Sequence, residues 1–210
     1  MKPVSLTQGT PEWVAWRAGG IGASDAACVM NLSPYRSRAD VFKDKLGRSP
    51  VVDKESYAMR RGHRYEPQAR FAYEQLNDCV AAVLCGECGD APYLRCSFDG
   101  WCTSRLDPGL PPWLIEIKAP KWQDHDSALA GHVPRHYWVQ CQHALFVSGL
   151  GRCDYVSIND GKRFAERDHL AVVPVAPDAE FLAEYLDAAE AFWGRVLRRL
   201  NRPRRERRAA

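Results

Sequence analysis

Apolar positions recur at helical spacing at both ends of this chain and alternate residue by residue in its middle. Thr10-Pro11-Glu12 opens a short helix, with Thr10 as N-cap and Pro11 at the first helical position; it carries Trp13 and Trp16 and stops at Gly19-Gly20. Ser24-Asp25 reads as the cap of a second short helix reaching about Met30. Ser37 to Leu46 gives a third, ended by Gly47. Tyr65, Ala69, Ala72 and Leu76 predict a longer helix from Lys54 to Asn77.

The pattern then shortens. Cys79 to Leu84 and Ala91 to Phe98 read as paired strands separated by Gly86 and Gly89-Asp90. Trp101 to Leu106 and Trp113 to Lys118 flank the turn-forming segment Asp107-Pro108-Gly109-Leu110-Pro111-Pro112. Val133 to Val147 returns to helix. Cys153 to Asn159 and Arg163 to Val173 predict two more strands around Asn159-Asp160-Gly161. From Asp178 onward, Phe181, Tyr185, Ala189, Phe192, Val196 and Leu200 mark an amphipathic helix. Helices, then a mostly antiparallel or mixed sheet, then helices predict one α/β domain over residues 1–200, followed by a basic Arg-rich tail at 201–210.

Composition supports a globular chain: 46% of the 210 residues are hydrophobic and 26% charged. The sequence has no apolar run of membrane-spanning length and no signal-peptide core at its start, so a cytoplasmic location and no membrane contact are expected. The formal net charge of +3 is uneven. Eight arginines lie between Arg195 and Arg208 with only Glu206 among them; without that segment, 21 basic face 25 acidic residues. A body of net charge −4 does not offer a broad nucleic-acid surface, so DNA contact requires locally placed cations or metal-screened carboxylates. The tail reads equally as a solvated terminus or a phosphate-binding arm.

Candidate chemistry concentrates in Ser97-Phe98-Asp99-Gly100 and Trp113-Leu114-Ile115-Glu116-Ile117-Lys118-Ala119-Pro120. Strand alternation puts Leu114, Glu116 and Lys118 on one face and Ile115 and Ile117 on the other. In a hairpin, the midpoint between positions 99 and 116 falls inside the Asp107-Pro108 turn, which brings Asp99 beside Glu116 and Lys118. An isolated Glu-Xaa-Lys is usually an ion pair on a solvated strand. Two acids and an amine on one face of an otherwise apolar strand suit a hard divalent cation and an adjacent nucleophilic water.

These words, in this order, resemble the lambda exonuclease or YqaJ-type alkaline exonuclease family of PD-(D/E)XK nucleases, which includes phage recombination exonucleases. Trp16-Arg17-Ala18-Gly19-Gly20-Ile21-Gly22-Ala23-Ser24-Asp25 is similar to its N-terminal motif, and Arg61-Gly62-His63-Arg64-Tyr65-Glu66 to its second. Asp99-Gly100 and Glu116-Ile117-Lys118 resemble its catalytic core, and Tyr137-Trp138-Val139-Gln140 its following helix. The resemblance covers roughly residues 13 to 160. Phe98 stands where the pattern has proline, and the loop between Asp99 and Glu116 is long.

The resemblance implies a restriction-endonuclease-like fold with a central mixed sheet flanked by helices. It implies 5′→3′ degradation of one strand of linear duplex DNA, leaving a 3′ overhang for recombination. Asp99, Glu116 and the Ile117 backbone carbonyl would hold one Mg²⁺ or Mn²⁺, and Glu66 with Asp99 a second, making two ions per site. Lys118 would activate the water, and Gln140 would bond to water, Lys118 or phosphate. Arg17 and Ser24 match the 5′-phosphate positions, where a guanidinium and a hydroxyl suit an anion; read alone, Ser24 is an N-cap. Trp13 and Met59 match strand-separating positions, although such residues are more often core. A phage single-strand annealing protein as partner, a homotrimer and a bacterial host cytoplasm follow from the same resemblance.

Two other function classes compete. A sequence- or structure-specific endonuclease would share the core but cut covalently closed DNA. A non-catalytic end-binding module is disfavoured because every catalytic acid is present. Cys85-Gly86-Glu87-Cys88 supplies one close Cys pair where a zinc site needs two, so zinc is not expected.

Overall fold

A computed structural model describes residues 1–48, 56–161 and 163–202. Strand β1 (Lys2–Val4) precedes three short helices, α1 (Pro11–Ala18), α2 (Ala23–Val29) and α3 (Arg38–Lys45). Thr10 caps α1, its hydroxyl accepting from Trp13 N, and Ser37 caps α3 in a reciprocal box with Asp40, as their sequences predict. The predicted cap of α2 is displaced. Gly22 is the N-cap, and the Asp25 carboxylate, at the third helical position, accepts from Gly22 N at 3.1 Å. Ser24 is thereby released from capping.

The long helix α4 spans Tyr57–Asn77 with Ser56 as N-cap; the expected start at Lys54 lies outside the described residues. Strand β2 (Cys79–Glu87) leads into β3 (Arg95–Ser104) and β4 (Trp113–Lys118). Here the expectation of two strands broken near Asp99-Gly100 is corrected: β3 runs unbroken through both residues. Gly100 is required by close approach rather than by a turn. A Cβ there would lie 2.6 Å from Ile115 Cγ1 on the paired strand. Gly100 pairs with Ile115 and Trp101 with Leu114, antiparallel, which is the register expected for positions 99 and 116.

Helices α5 (Trp122–Leu129) and α6 (Arg135–Ser148) cross back to β5 (Cys153–Ile158), which lies parallel to β4. Strand β6 (Leu170–Val175) then pairs antiparallel with β5, and α7 (Ala179–Leu200) closes the described chain. The strand predicted from Arg163 begins only at Leu170, because residues 166–168 form a 3₁₀ turn. The sheet is mixed, in the order β1-β2-β3-β4-β5-β6.

Alternation along the strands divides the core. Leu114, Tyr155 and Val173 pack with α2, α6 and α7 on one face, burying Val29, Val139, Leu145 and Tyr185. Ile115, Ile117 and Val156 pack against Ala69 and Tyr73 of α4 on the other. Glu116 therefore points into the first face with only 5% of its surface exposed. No helix among the described residues is long and apolar enough to cross a membrane.

Candidate active site

The carboxylate–lysine cluster forms where β3 and β4 run side by side. The Asp99 side chain turns toward β4, and its Oδ2 accepts from Ile117 N at 2.8 Å. On β4, Lys118 Nζ donates to Glu116 Oε1. Glu66 arrives from α4, placed by Arg70 one turn later. The Arg70 guanidinium donates to Glu66 Oε1 and, through Nε, to the Asp99 carbonyl oxygen at 2.7 Å. Arg70 thus fixes α4 against β3. The sequence reading did not single it out, although the Glu-to-Arg spacing of four residues is a helical ion-pair signal.

The electrostatics reflect acids crowded under cover. Burial pushes the Glu116 carboxyl up to about 7; Lys118 works against this shift, and Asp99 adds to it. Burial and the nearby Asp99 also raise Glu66, against Arg70. Burial disfavours the Lys118 ammonium, but Glu116 and Asp99 outweigh it and hold the amine protonated. Lys118 also lies 5.9 Å from the Tyr137 ring centroid, a cation–π contact from α6.

Asp99, Glu116, Lys118 and Glu66 line one cavity of about 210 Å³, together with His63 and Gln140. His63 stands three residues before Glu66 on the same helical face, a spacing visible in the sequence but not used there. The opposite wall is built by α1 and α2. Arg17 Nη2 donates to Ser24 Oγ at 2.8 Å, and both residues face the cavity. Trp13 lines it as well, half-buried, its Nε1 donating to Ser97 Oγ at 2.8 Å. That bond ties α1 to β3 two residues before Asp99. Met59 is apart from this group, 56% exposed in the first turns of α4 and not part of the cavity wall. It is not a core residue.

Gly20 lets the two walls approach. A Cβ on it would meet the Tyr93 carbonyl at 2.5 Å, and Ile21 bridges to Leu94 alongside β3. Arg95 fills the space beneath, donating to Trp16 O and pairing with Glu87. Cys85, from the Cys pair weighed for zinc, is buried with Sγ 3.7 Å from Ser97 Oγ, while Cys88 is half-buried.

Among the described residues, no three His, Cys, Asp or Glu side chains already form a closed metal-ligand set. The acids lean instead on Lys118 and Arg70. The donor chemistry nonetheless fits a hard divalent cation. Asp99, Glu116 and Glu66 offer carboxylate oxygens to one cavity; burial, with the neighbouring Asp99 adding, raises Glu116 and Glu66, and a cation bound among the three oxygens would offset both costs.

A six-stranded mixed sheet flanked by helices, with an aspartate on one strand and Glu-Xaa-Lys on the next, is the PD-(D/E)XK arrangement. The chain belongs to the YqaJ-like viral recombinase domain family, matched over residues 12–151. An uncharacterized protein of Acanthamoeba polyphaga mimivirus is 28% identical over 162 residues, covering 71% of this chain and 28% of its own length. The uncharacterized protein YqaJ of Bacillus subtilis is 23% identical over 201 residues, covering 87% of this chain and 54% of its own length. The chain therefore spans about a quarter and about half of these two relatives. The crystal structure of LHK-Exo, an alkaline exonuclease from Laribacter hongkongensis, superposes with a TM-score of 0.75 at 25% identity, covering 95% of this chain and 98% of that one. The same protein in complex with dAMP gives 0.75 at 26%, covering 91% and 94%. A phage-related exonuclease from Haemophilus somnus shares the fold, with a TM-score of 0.59 at 12% identity over 87% and 96% of the two chains.

Proposed function

We propose that this chain is a divalent-metal-dependent deoxyribonuclease that degrades the 5′-ended strand of linear duplex DNA from its end, leaving a 3′ overhang for recombination. The observation that carries the reading is the shared cavity. Asp99, Glu116, Lys118 and Glu66 line it together with Arg17 and Ser24. Family membership and the likeness to an alkaline exonuclease that binds dAMP support it.

Asp99, Glu116 and the Ile117 carbonyl would hold one Mg²⁺ or Mn²⁺, and Glu66 with Asp99 a second. Bound there, such ions neutralise phosphate charge and make water more acidic. The chain's own groups supply the rest. The protonated Lys118 orients the attacking water and offsets negative charge developing on the scissile phosphate. Gln140, from α6, donates its amide to the water or a phosphate oxygen. Arg17 and Ser24 bind the terminal 5′ phosphate as a charged anchor one step from the cleaved bond. Trp13 stacks at the mouth and, with Met59 on the exposed approach, separates the strands. Residues 1–200 act as one nuclease unit, working as a homo-oligomer, a trimer in the fullest form of the proposal. A single-strand annealing protein of the same phage coats the overhang in the host cytoplasm.

The test compares linear duplex labelled at either end with the same sequence as a covalently closed circle, in Mg²⁺. The proposal expects nucleotide release from 5′ ends only and an intact circle. Cutting of the circle would replace it with an endonuclease reading.

A further inference from the structure

Beyond Lys118, β4 leads through Ala119-Pro120 to Lys121 and α5, and a second groove of about 450 Å³ opens there. Its walls come from α4, the start of α5 and the β5–β6 loop. It gathers three cations, Arg61, Lys121 and Arg163, around Trp122. The Arg163 guanidinium lies 4.0 Å from the Trp122 ring centroid, yet the indole remains 44% exposed. Arg61 leans on Tyr65 at 5.5 Å, and its Nε and Nη2 are buried without a hydrogen-bond partner among the described residues, so the guanidinium meets the groove by its remaining edge. Asp160, between the lining residues Asn159 and Gly161, accepts from Tyr65 Oη at 2.7 Å. The base of the groove is braced, since Asn159 Nδ2 donates to Pro120 O at 3.2 Å and Asn159 Oδ1 accepts from Gly161 N at 3.0 Å.

We infer that this groove binds a single-stranded segment of DNA, its phosphates held by Arg61, Lys121 and Arg163 and an unpaired base stacked on Trp122. Three cations around one exposed indole stand out on a body of net negative charge, and they match a polyanion carrying flat apolar bases. An indole face takes a base whose own face is open, which a single strand offers along its length and a duplex only at its ends. The groove also lies within reach of the catalytic cavity. Arg61 precedes Glu66 by five residues on α4, about 8 Å along the helix axis. Lys121 follows Lys118 by three residues, at most about 11 Å of chain. Those spans are about two to three nucleotides at the per-strand duplex rise of 3.4 Å, and fewer for an extended single strand. The groove's role, taking up unpaired strand beside the catalytic cavity, rests on the proposed nuclease function; its capacity to bind the strand does not.

The test measures binding of a fluorescently labelled oligothymidylate to the full chain in EDTA, where hydrolysis is blocked. Trp122, Lys121 and Arg163 are exposed, so their variants keep the fold. Trp122→Ala is expected to weaken binding about tenfold. The double variant Lys121→Gln, Arg163→Gln should lower the salt slope of log K by about 1.4. Exposed Arg105, outside both cavities, serves as the control, and Arg105→Gln should bind like the unaltered chain. Hydrolysis of a thymidine phosphodiester too short to reach the groove should be unchanged in all these variants. Unaltered binding by Trp122→Ala, or an equal loss in Arg105→Gln, overturns the inference. An equal loss on blunt duplex also overturns it, because the occupant is then the duplex backbone. If the unaltered chain cleaves nothing while groove variants still lose oligothymidylate, the nuclease reading fails and the groove stands.

Discussion

Lys45 Nζ stands 2.7 Å from Asp25 Oδ2 and also donates at 3.2 Å to the Arg17 carbonyl oxygen. One buried ammonium on α3 thus joins the end of α1 to the start of α2, the two elements that present Arg17 and Ser24. Burial disfavours the Asp25 carboxylate, but Lys45 and the Gly22 amide outweigh it and keep it ionised. Lys45→Met strands that charge and is expected to cost about 3–5 kcal/mol in denaturant unfolding. The double variant Asp25→Asn, Lys45→Met should recover a large part of that loss. A double variant no more stable than the single one would show that the pair's charge is not what holds the segment.

The proposed phosphate pocket makes its own prediction. Arg17→Ala should slow degradation of 5′-phosphorylated ends about tenfold more than that of 5′-hydroxyl ends, at fixed salt, because the lost charge-assisted bonds exist only with the phosphate. Initial rates on the two kinds of end check it. Equal losses on both would remove Arg17 from end recognition.

Lys118→Ala should lower turnover by about 10²–10³-fold while leaving affinity for DNA nearly unchanged, since the amine acts chiefly on the water and the transition state. Single-turnover kinetics beside filter binding separate the two quantities. Lys118→Arg should restore little, because a planar fork cannot occupy the position of a point charge.

Acid stability should depend on His143. Its Nε2 lies 2.8 Å from the Arg95 carbonyl, which only accepts, so Nε2 carries the hydrogen and Nδ1 accepts from Tyr185 Oη at 2.6 Å. Burial lowers this imidazole to about 4. The unfolded chain therefore binds a proton between pH 6.5 and 4 that the folded chain refuses. The His143 contribution to stability falls as pH drops through that window, by about 3 kcal/mol when complete, and is opposed by Glu116, whose carboxyl, raised to about 7, favours the folded chain as pH falls. In His143→Gln that fall should disappear from the same stretch of the profile, leaving the opposite slope of the buried Glu116, measured by urea unfolding at stepped pH.

The strands of the proposed catalytic site were legible because alternation and a turn midpoint together fix a register. Glu116 and Lys118 share a face with Leu114, and Gly100 opposite Ile115 confirms the pairing. The same stretch misled locally. Asp99-Gly100 has the composition of a turn, but the glycine serves a close strand approach, which depends on a neighbour distant in sequence. Helix α5 was missed because Lys121 makes no side-chain cap bond and the helix is only 8 residues long. β1 is too short to show alternation. Ser24 looked like a cap because serine suits that position; Gly22 and Asp25 took the role through a reciprocal bond that only the folded backbone defines. Arg70 and Lys45 escaped notice because each acts on a backbone carbonyl of another element, and no local pattern encodes such a contact.

Asp99 is the centre of the proposed site: its carboxylate meets β4 at Ile117 and shares a cavity with Glu116 and Glu66. The decisive measurement is release of labelled nucleotide from a linear duplex by the unaltered chain and by Asp99→Asn, each with Mg²⁺ and with EDTA, with thermal unfolding recorded for both proteins. The account predicts release only by the unaltered chain and only with Mg²⁺, while Asp99→Asn unfolds at the same temperature or higher because crowding among the acids is relieved. Release in EDTA, or undiminished release by a folded Asp99→Asn, would contradict it.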